Sequence, residues 1–373
     1  MSGRFVSEFG MAAYPHLSTL HHFLGTETSE RHPGSATLEF HNKAVGHSRR
    51  LLSYVTENFR LPSCSSPSSS ELAAFAHLTQ VMQSDAMAWA YKSWRRQWNV
   101  PHSRRCGGVL VWQLNDCWPC VSWSVIDYHL VPKPAYYTIR RALAPVAVSV
   151  SRKVYDWTMR PADPLWRRDT GHIDPTRSMR EAEFDVWVVS SRTRPVRGKV
   201  VLRLLSLSSG LDVVHDRIEK EITIAPNSCT EVWNAANLAD YTLDPPFPGY
   251  VVIHVSLWDL ELGRQISSDV SWPEPIKYLD FGPPEERGVR VDVVSSGNSG
   301  DEEEEGRDAD GGGRNITAVE ITVAKPVKGF VFSERPGVEV SDNGLDLIPG
   351  EPVRVAIRGG EPGEVLPWTF IGQ

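Results

Sequence analysis

Apolar and aromatic residues follow one another almost without interruption from Val109 to Leu114. Two glycines precede this run, and an Asn-Asp pair and Pro119 follow it. β-Branched and aromatic residues between such turn signals predict a strand covered on both faces, as in a parallel α/β sheet or barrel. The loops after the strands carry the chemistry in such folds, so we expect a functional site at the C-terminal end of this strand.

The flanking segments predict two consecutive β/α units. Residues 4–10 predict a short strand that ends in Glu8 and a glycine. An apolar stripe at helical spacing predicts a helix over residues 72–98, and a proline at its start supports a second helix over 134–143. Together with the strand at 109–114, the order is strand, helix, strand, helix, which is typical of a parallel sheet.

The pattern changes to alternation after Pro145. Short alternating segments at 146–150, 184–189, 199–205, 219–224 and 250–257 predict a β-sandwich, and a smaller set of strands after Pro275 predicts a second one. We therefore expect three domains, with boundaries at 1–143, 144–275 and 276–373. The acidic stretch 295–314 has no apolar residues to bury, so it is predicted to be a disordered surface loop of the last domain.

Five residues are expected to meet at the rim formed by the ends of the two N-terminal strands. Glu8 ends the first strand, and Trp112, Asn115, Asp116 and Trp118 end or follow the second. Flat apolar rings suit the faces of sugars, and amide and carboxylate groups suit their hydroxyls. The composition of this rim therefore indicates a carbohydrate subsite.

Charge, hydrophobicity and cysteine content argue against several other classes of protein. Residues 301–310 hold seven acids and one arginine, so −6 of the formal net charge of −7 lies there and −1 remains for the rest of the chain. This leaves no basic surface for nucleic acid. No apolar run reaches 18 residues, so no membrane partner is expected. Five cysteines, an odd number in a long chain, indicate reduced thiols.

The pair Cys117 and Cys120 resembles a redox C-x-x-C motif. Such a motif needs its first cysteine at the N-terminus of a helix, and the residues after Pro119 do not predict a helix. No second pair at zinc-ligand spacing and no H-E-x-x-H motif is present. We therefore expect no metal and no cofactor. The segment 39–43 is open to two interpretations, a lining of the sugar site or a structural loop contact.

Several segments carry a resemblance to a known family. The strongest are VSEFGM at 6–11 and GGVLVWQLNDCWPCVSWS at 107–124, and shorter ones lie at 30–33, 38–43, 78–83, 127–128, 133–136 and 340–351. The chain resembles the β-mannosidases of glycoside hydrolase family 2, particularly the fungal intracellular type. The resemblance implies the C-terminal part of a (β/α)8 barrel followed by two immunoglobulin-like sandwiches, and a cytoplasmic location.

The resemblance also implies a retaining hydrolase that removes terminal β-D-mannose from mannans or manno-oligosaccharides. Glu8 falls on the family's nucleophile and Trp112 on the aromatic wall of the −1 subsite, with Asn115 and Asp116 as supporting polar groups. The family's acid/base is a Glu after an Asn, and no Asn-Glu pair occurs in this sequence. We therefore expect a truncated chain that is inactive alone. The alternative is a non-catalytic fragment that binds carbohydrate or another partner.

Overall fold

The chain is mostly β-sheet with a small number of helices, most of them in the N-terminal third. The computed structural model describes residues 3–25, 28–43, 46–61, 69–98, 106–153, 183–214, 216–238, 241, 250–298 and 315–373. Within these ranges the strands form five sheets: one parallel pair near the N-terminus and four antiparallel sheets after it.

Strands β1 (Val6–Phe9) and β2 (Val109–Val111) are the parallel pair. Val6 pairs with Val109 and Phe9 with Val111, so Ser7 and Glu8 of β1 together oppose Leu110 of β2 across a bulge. The bulge lets both Val6 and Phe9 face the helices, where they pack with Val109 and Trp94. Val6 and Phe9 thus lie on the same buried face of the pair, although strict alternation along a strand would place them on opposite faces.

The expectation of a strand covered on both faces over 109–114 is wrong in two respects. β2 ends at Val111, because the backbone after Trp112 pairs with residues 123–126 instead of with a strand. The face away from the helices is open in the described part of the chain, since Leu110 is 54% exposed and Trp112 is 50% exposed. The helices therefore cover only one side of this pair.

The described part of the chain has five α-helices, all between residues 17 and 142. They are α1 (Leu17–Leu24), α2 (Ala36–Phe40), α3 (His47–Asn58), α4 (Ser69–Arg96) and α5 (Pro134–Ala142). The Ser35 hydroxyl caps α2 by accepting from Leu38 N at 3.0 Å, as serine commonly does at this position. Among the described residues, no helix combines the length and apolarity needed to span a membrane.

The first sandwich pairs a three-stranded sheet with a four-stranded one. The sheets have the orders β3-β4-β7 and β6-β5-β8-β9. Their strands are β3 (Val146–Arg152), β4 (Glu183–Ser190), β5 (Val196–Ser206), β6 (Ile218–Ile224), β7 (Ser228–Asn237), β8 (Val251–Asp259) and β9 (Arg264–Ser271). Their inward residues, among them Val148, Phe184, Leu202 and Ile253, form one buried cluster.

The last part of the chain forms two further sheets, β10-β11-β15-β13 and β14-β12-β16. Their strands are β10 (Arg290–Asn298), β11 (Asn315–Thr322), β12 (Val327–Phe332), β13 (Glu339–Val340), β14 (Leu345–Leu347), β15 (Val353–Arg358) and β16 (Trp368–Thr369). The predicted surface loop 295–314 is shorter at its start, because β10 continues to Asn298, which pairs with Asn315. Residues 299–314 lie outside the described ranges.

Helix α4 joins the N-terminal part of the chain to both sandwiches. Its His77 Nε2 donates to Gly329 O at 2.8 Å, and its Lys92 forms an ion pair of 2.5 Å with Asp269. Nearby, Gly329 has φ +62°, and a Cβ there would lie 2.7 Å from Val81 of α4. Only glycine allows this backbone to approach the helix so closely.

Exchange of His77 for glutamine should make stability less sensitive to acid. Burial lowers the pKa of His77 to about 4 from its ordinary value of 6.5. Between these two values the unfolded chain binds a proton that the folded chain does not, so stability falls as the pH drops below about 6.5. Glutamine removes this titration and keeps an N–H donor for Gly329 O. Urea unfolding midpoints between about pH 7 and about pH 4.5 should fall less steeply in the variant.

The matched control is His22→Gln, which removes an exposed histidine of α1. It should leave the pH dependence of the unfolding midpoint close to that of the parent chain. Identical slopes for His77→Gln and the parent would show that His77 is not kept neutral by burial.

Candidate active site

The exits of β1 and β2 are held side by side by backbone contacts. Trp112 N donates to Phe9 O at 2.8 Å. Gly10 follows directly, and a Cβ there would lie 1.6 Å from the Trp112 carbonyl oxygen. Because no side chain fits this gap, the glycine after the first strand is required by the position of Trp112.

Gln83 of α4 binds the backbone of the segments that follow both strands. Its Nε2 donates to Met11 O at 2.8 Å and to Ser124 O at 3.0 Å, with a longer contact of 3.4 Å to Trp123 O. Because Gln83 is fully buried, water cannot replace its amide as the hydrogen-bond donor to these carbonyls. One side chain therefore connects the segment after β1 to the segment after β2.

Glu8 and Trp112 are the two predicted site residues at the strand ends themselves. Both are exposed, Trp112 at 50%. In the described part of the chain, no side chain forms a hydrogen bond or ion pair with the Glu8 carboxylate. The structure thus leaves a carboxylate and an indole ring accessible at the ends of neighbouring parallel strands.

Asp116 is buried, unlike the other predicted site residues. Its carboxylate accepts from Gln113 Nε2 at 3.0 Å, from Ser122 Oγ at 2.7 Å and from Ser124 Oγ at 2.6 Å. Charge-assisted bonds of this kind are about twice as strong as neutral ones. The carboxylate therefore closes the turn from residue 113 to residue 124.

A second buried polar group, Lys133, lies behind this turn. It is fully buried and its Nζ donates to Ala13 O at 3.3 Å. Burial lowers the pKa of Lys133, and the neighbouring carboxylates of Asp116 and Asp127 act in the opposite direction. Asp127 in turn accepts from Thr19 Oγ1 at 2.6 Å, so the polar groups under the rim satisfy one another.

Trp118 belongs to a stack of three rings. The His41 ring lies 4.0 Å from Phe23 and 4.3 Å from Trp118, nearly parallel to both. His41 Nδ1 lies 2.7 Å from Pro119 O, which fixes the histidine plane. Lys43 Nζ lies 4.5 Å from the Trp118 centroid, within the range of a cation–π contact. These contacts leave Trp118 38% exposed.

The contacts of this ring stack hold the segment 39–43 against Trp118. It packs against Trp118, since the Phe40 and Trp118 ring centroids lie 6.0 Å apart in an edge-to-face arrangement, and Phe40 is 66% exposed. Asn115 is also exposed, and its Nδ2 lies 3.4 Å from Asp116 O. The structure therefore brings four of the five predicted residues to the surface around the rim and places Asp116 beneath it.

The C-x-x-C pair has the properties of structural thiols. Cys117 and Cys120 are both free, the first exposed and the second buried. Burial and the Asp116 carboxylate raise the pKa of Cys120 to about 12, so the reactive thiolate is disfavoured. Among the described residues, no group of three His, Cys, Asp or Glu side chains could hold a metal ion.

Sequence reasoning did not assign roles to Gln83 and Lys133, and it left the segment that contains His41 open to two interpretations. Gln83 interrupts the apolar stripe of α4 between Met82 and the alanines that follow, and a polar residue on a buried helix face is a signal that it has partners. Lys133 precedes Pro134 at the start of α5 and carries no pattern that predicts burial.

Exchange of Gly10 for alanine should lower the free energy of unfolding by about 2–4 kcal/mol. The added Cβ meets the Trp112 carbonyl, a backbone atom that cannot rotate away, so β1 and β2 must separate at their exits. Chemical denaturation measures the change. Gly34→Ala is the control, since its Cβ would find its nearest neighbour at 3.5 Å. Equal stability of the two variants would refute the close approach.

Exchange of Asp116 for alanine should destabilise the fold by about 3 kcal/mol, because three donors lose their acceptor and the Lys133 ammonium loses a neighbouring negative charge. Asn115→Ala, at the neighbouring exposed position, should change stability by less than about 0.5 kcal/mol. Thermal unfolding followed by circular dichroism compares the two. An Asp116→Ala variant as stable as the parent chain would mean that the carboxylate is free for other contacts.

Three comparisons relate the chain to known proteins. Residues 182–278 match the family described as the mannosidase Ig/CBM-like domain. β-Mannosidase B of Aspergillus clavatus is 39% identical over 374 residues, which cover 100% of this chain and 38% of the relative. β-Mannosidase B of Aspergillus niger is 39% identical over 373 residues, with the same shares of both chains.

Solved structures show the same fold. The β-D-mannosidase of Dictyoglomus thermophilum matches 96% of this chain with a TM-score of 0.69 and 22% identity, and the match covers 36% of that chain. The exo-chitosanase of Amycolatopsis orientalis matches 96% of this chain with a TM-score of 0.64 and 16% identity, covering 41% of its own length. Over its whole length, the chain is similar in sequence to β-mannosidase B, and it spans 38% of the length of the β-mannosidase B relatives that it matches.

Proposed function

We propose that this chain is the nucleophile-bearing part of a retaining β-mannosidase. The observation that carries the proposal is the accessible Glu8 carboxylate at the end of a strand whose parallel neighbour leads into the exposed Trp112, in a chain 39% identical throughout to β-mannosidase B. The substrate would be a mannan or manno-oligosaccharide with a terminal, non-reducing β-D-mannose. No cofactor enters the reaction.

In the proposed reaction, the Glu8 carboxylate attacks the anomeric carbon and the glycosidic bond to the leaving oxygen breaks. Retaining hydrolysis needs a second carboxyl group about 5–5.5 Å away to protonate that oxygen and then to activate water. The rim described here presents only Glu8. The acid/base would come from outside these 373 residues, so we expect negligible hydrolysis from this chain alone.

The remaining site residues have different roles in this proposal. Trp112 would form an apolar wall against the mannose ring, because its indole is half exposed beside the strand end. Asn115 and the exposed part of Trp118 would contact the sugar or the group attached to it. The Asp116 carboxylate, which accepts three hydrogen bonds inside the protein, would act on substrate indirectly by holding the turn that carries Asn115 and Trp118.

We further propose that β1, β2, α4 and α5 are two units of a (β/α)8 barrel. Support comes from the parallel pairing and from helices on only one side of the pair. The interior of such a barrel is filled by side chains from its strands. The exposed Leu110 and Trp112 would then face the barrel interior and the substrate.

A second candidate function is binding without catalysis. It is favoured by the exposed apolar side chains around the strand pair, namely Phe5, Leu110, Trp112 and Leu114, since contiguous apolar patches commonly mark interaction sites. The match of residues 182–278 to an Ig/CBM-like domain also fits this function. In that case, mannose-containing oligosaccharides would bind without turnover.

A cytoplasmic location is part of the proposal. The four cysteines in the described ranges, Cys106, Cys117, Cys120 and Cys229, are free thiols, as is usual in a reducing compartment. Cys64 lies outside the described residues.

The catalytic role of Glu8 can be tested in a chimera that joins this chain to the missing part of Aspergillus niger β-mannosidase B. We expect hydrolysis of 4-nitrophenyl β-D-mannoside by the chimera, and a loss of roughly 10³-fold or more in kcat after Glu8→Gln. Azide should rescue Glu8→Ala and give the α-mannosyl azide, because a small anion can replace a missing nucleophile but not a missing structural group.

Glu57→Gln, on the exposed side of α3, is the control and should retain full activity. The 373-residue chain alone should show no turnover. If the chain alone binds mannobiose without turnover, and Trp112→Ala abolishes this binding, the second candidate function is favoured. Full activity of the Glu8→Gln chimera would refute the assignment of the nucleophile.

A further inference from the structure

A cavity of about 330 Å³ lies where α4 meets both sandwiches. Helix α4 contributes Ser84, Asp85, Trp89 and Lys92, and strands β3 and β9 of the first sandwich contribute the opposite wall. Lys328 and Asp346 of the second sandwich close the third side. None of the residues that line it belongs to the rim formed by β1 and β2.

The lining of this cavity is unusually rich in hydroxyl groups. Strand β9 presents Ser267, Ser268 and Ser271 to it, and β3 presents Ser149 and Ser151. A sandwich strand ordinarily alternates apolar and polar residues, because one of its faces packs on the core. Ser267 Oγ accepts from Val148 N of β3 at 3.1 Å, which explains one polar position of β9, and Ser268 and Ser271 supply further hydroxyl groups on this wall.

The charges in the cavity compensate one another. Lys328 Nζ lies 2.9 Å from Asp85 and 3.5 Å from Asp346, and its side chain is 4% exposed. Lys92 forms an ion pair with Asp269 at 2.5 Å. Of the other charged residues in the lining, Arg141 pairs with Asp342, and Arg152 and Glu274 interact as opposite charges. The cavity therefore has little free charge to offer an ionic ligand. Its chemistry suits a neutral ligand with many hydroxyl groups.

Two buried donors in the wall have no partner within the described part of the chain. They are Ser84 Oγ, in a residue 7% exposed, and Trp187 Nε1, in a residue 2% exposed. Buried polar groups almost always form hydrogen bonds, so these atoms are places where a bound hydroxyl would fit. The indole of Trp89, 53% exposed, adds a flat apolar surface at the same cavity.

From these features we propose that the cavity is a binding site for a mono- or disaccharide. Hydroxyls of the ligand would accept from Ser84 and Trp187 and bond to the serines of β3 and β9. A face of a sugar ring would lie on Trp89. The volume of 330 Å³ is at the small end of known ligand sites, about 300–1,000 Å³, which limits the ligand to one or two rings. The inference is independent of catalysis by Glu8.

Hydrogen–deuterium exchange of the full chain with β-1,4-mannobiose and with D-mannose tests the proposal. We expect slower exchange at residues 84–92 and 267–272 on addition of sugar. Trp89→Ala should raise Kd, measured by calorimetry, about tenfold, and Ser84→Ala about fivefold. Both positions can be checked for intact folding by thermal unfolding, and Trp89 is exposed enough to be replaced without loss of core packing.

Two matched variants separate this cavity from other aromatic surfaces. Trp112→Ala at the rim and Trp258→Ala, 37% exposed on the first sandwich, should keep the exchange protection at 84–92 and 267–272. The proposal is overturned if Trp112→Ala removes binding while Trp89→Ala does not, since the sugar then occupies the rim. It is also overturned if neither sugar changes exchange in this region at up to about 10 mM, beyond the range of weak specific binding.

Discussion

The buried ammonium of Lys328 fixes how the parts of this chain meet. It lies between Asp85 of α4 and Asp346 of the second sandwich, and removal of either carboxylate would leave a buried charge without full compensation. The adjacent Gly329 adds two further constraints, since its carbonyl accepts from His77 and its Cα faces Val81. Two consecutive residues thus set the position of α4 against the sandwich.

The same helix determines the geometry of the candidate site. Gln83 lies six residues after His77 and holds the segments that leave β1 and β2. An α-helix is a stiff element, so the contacts of α4 with the sandwiches restrict where Gln83 can lie. The sandwiches can therefore affect the rim that carries Glu8 and Trp112 by holding the helix that supports it.

The sequence predicted most of the elements that have an apolar stripe or an alternating apolar face, although the short strands β14 and β16 were missed. The stripe of α4 and the inward residues of β3, β4, β5 and β8 follow ordinary periodicities, and the structure has these elements. Strands β7 and β9 were not predicted, because SCTEVWNAAN and RQISSDVS lack a clear apolar face. Their strand conformation depends on neighbours that are distant in sequence.

The candidate site shows the same division. Glu8 and Trp112 were predicted as site residues because they stand near the ends of hydrophobic runs, and the structure exposes both at the exits of β1 and β2. Asp116 was predicted to contact substrate from its chemical type, yet its partners Ser122 and Ser124 come from a return of the chain that no local pattern indicates. A buried polar network whose groups are hydrogen-bonded in this way restricts the turn to one conformation. A rigid turn suits a site that must hold sugar hydroxyls in place, because substrate positioning loses its effect when the supporting loop can move.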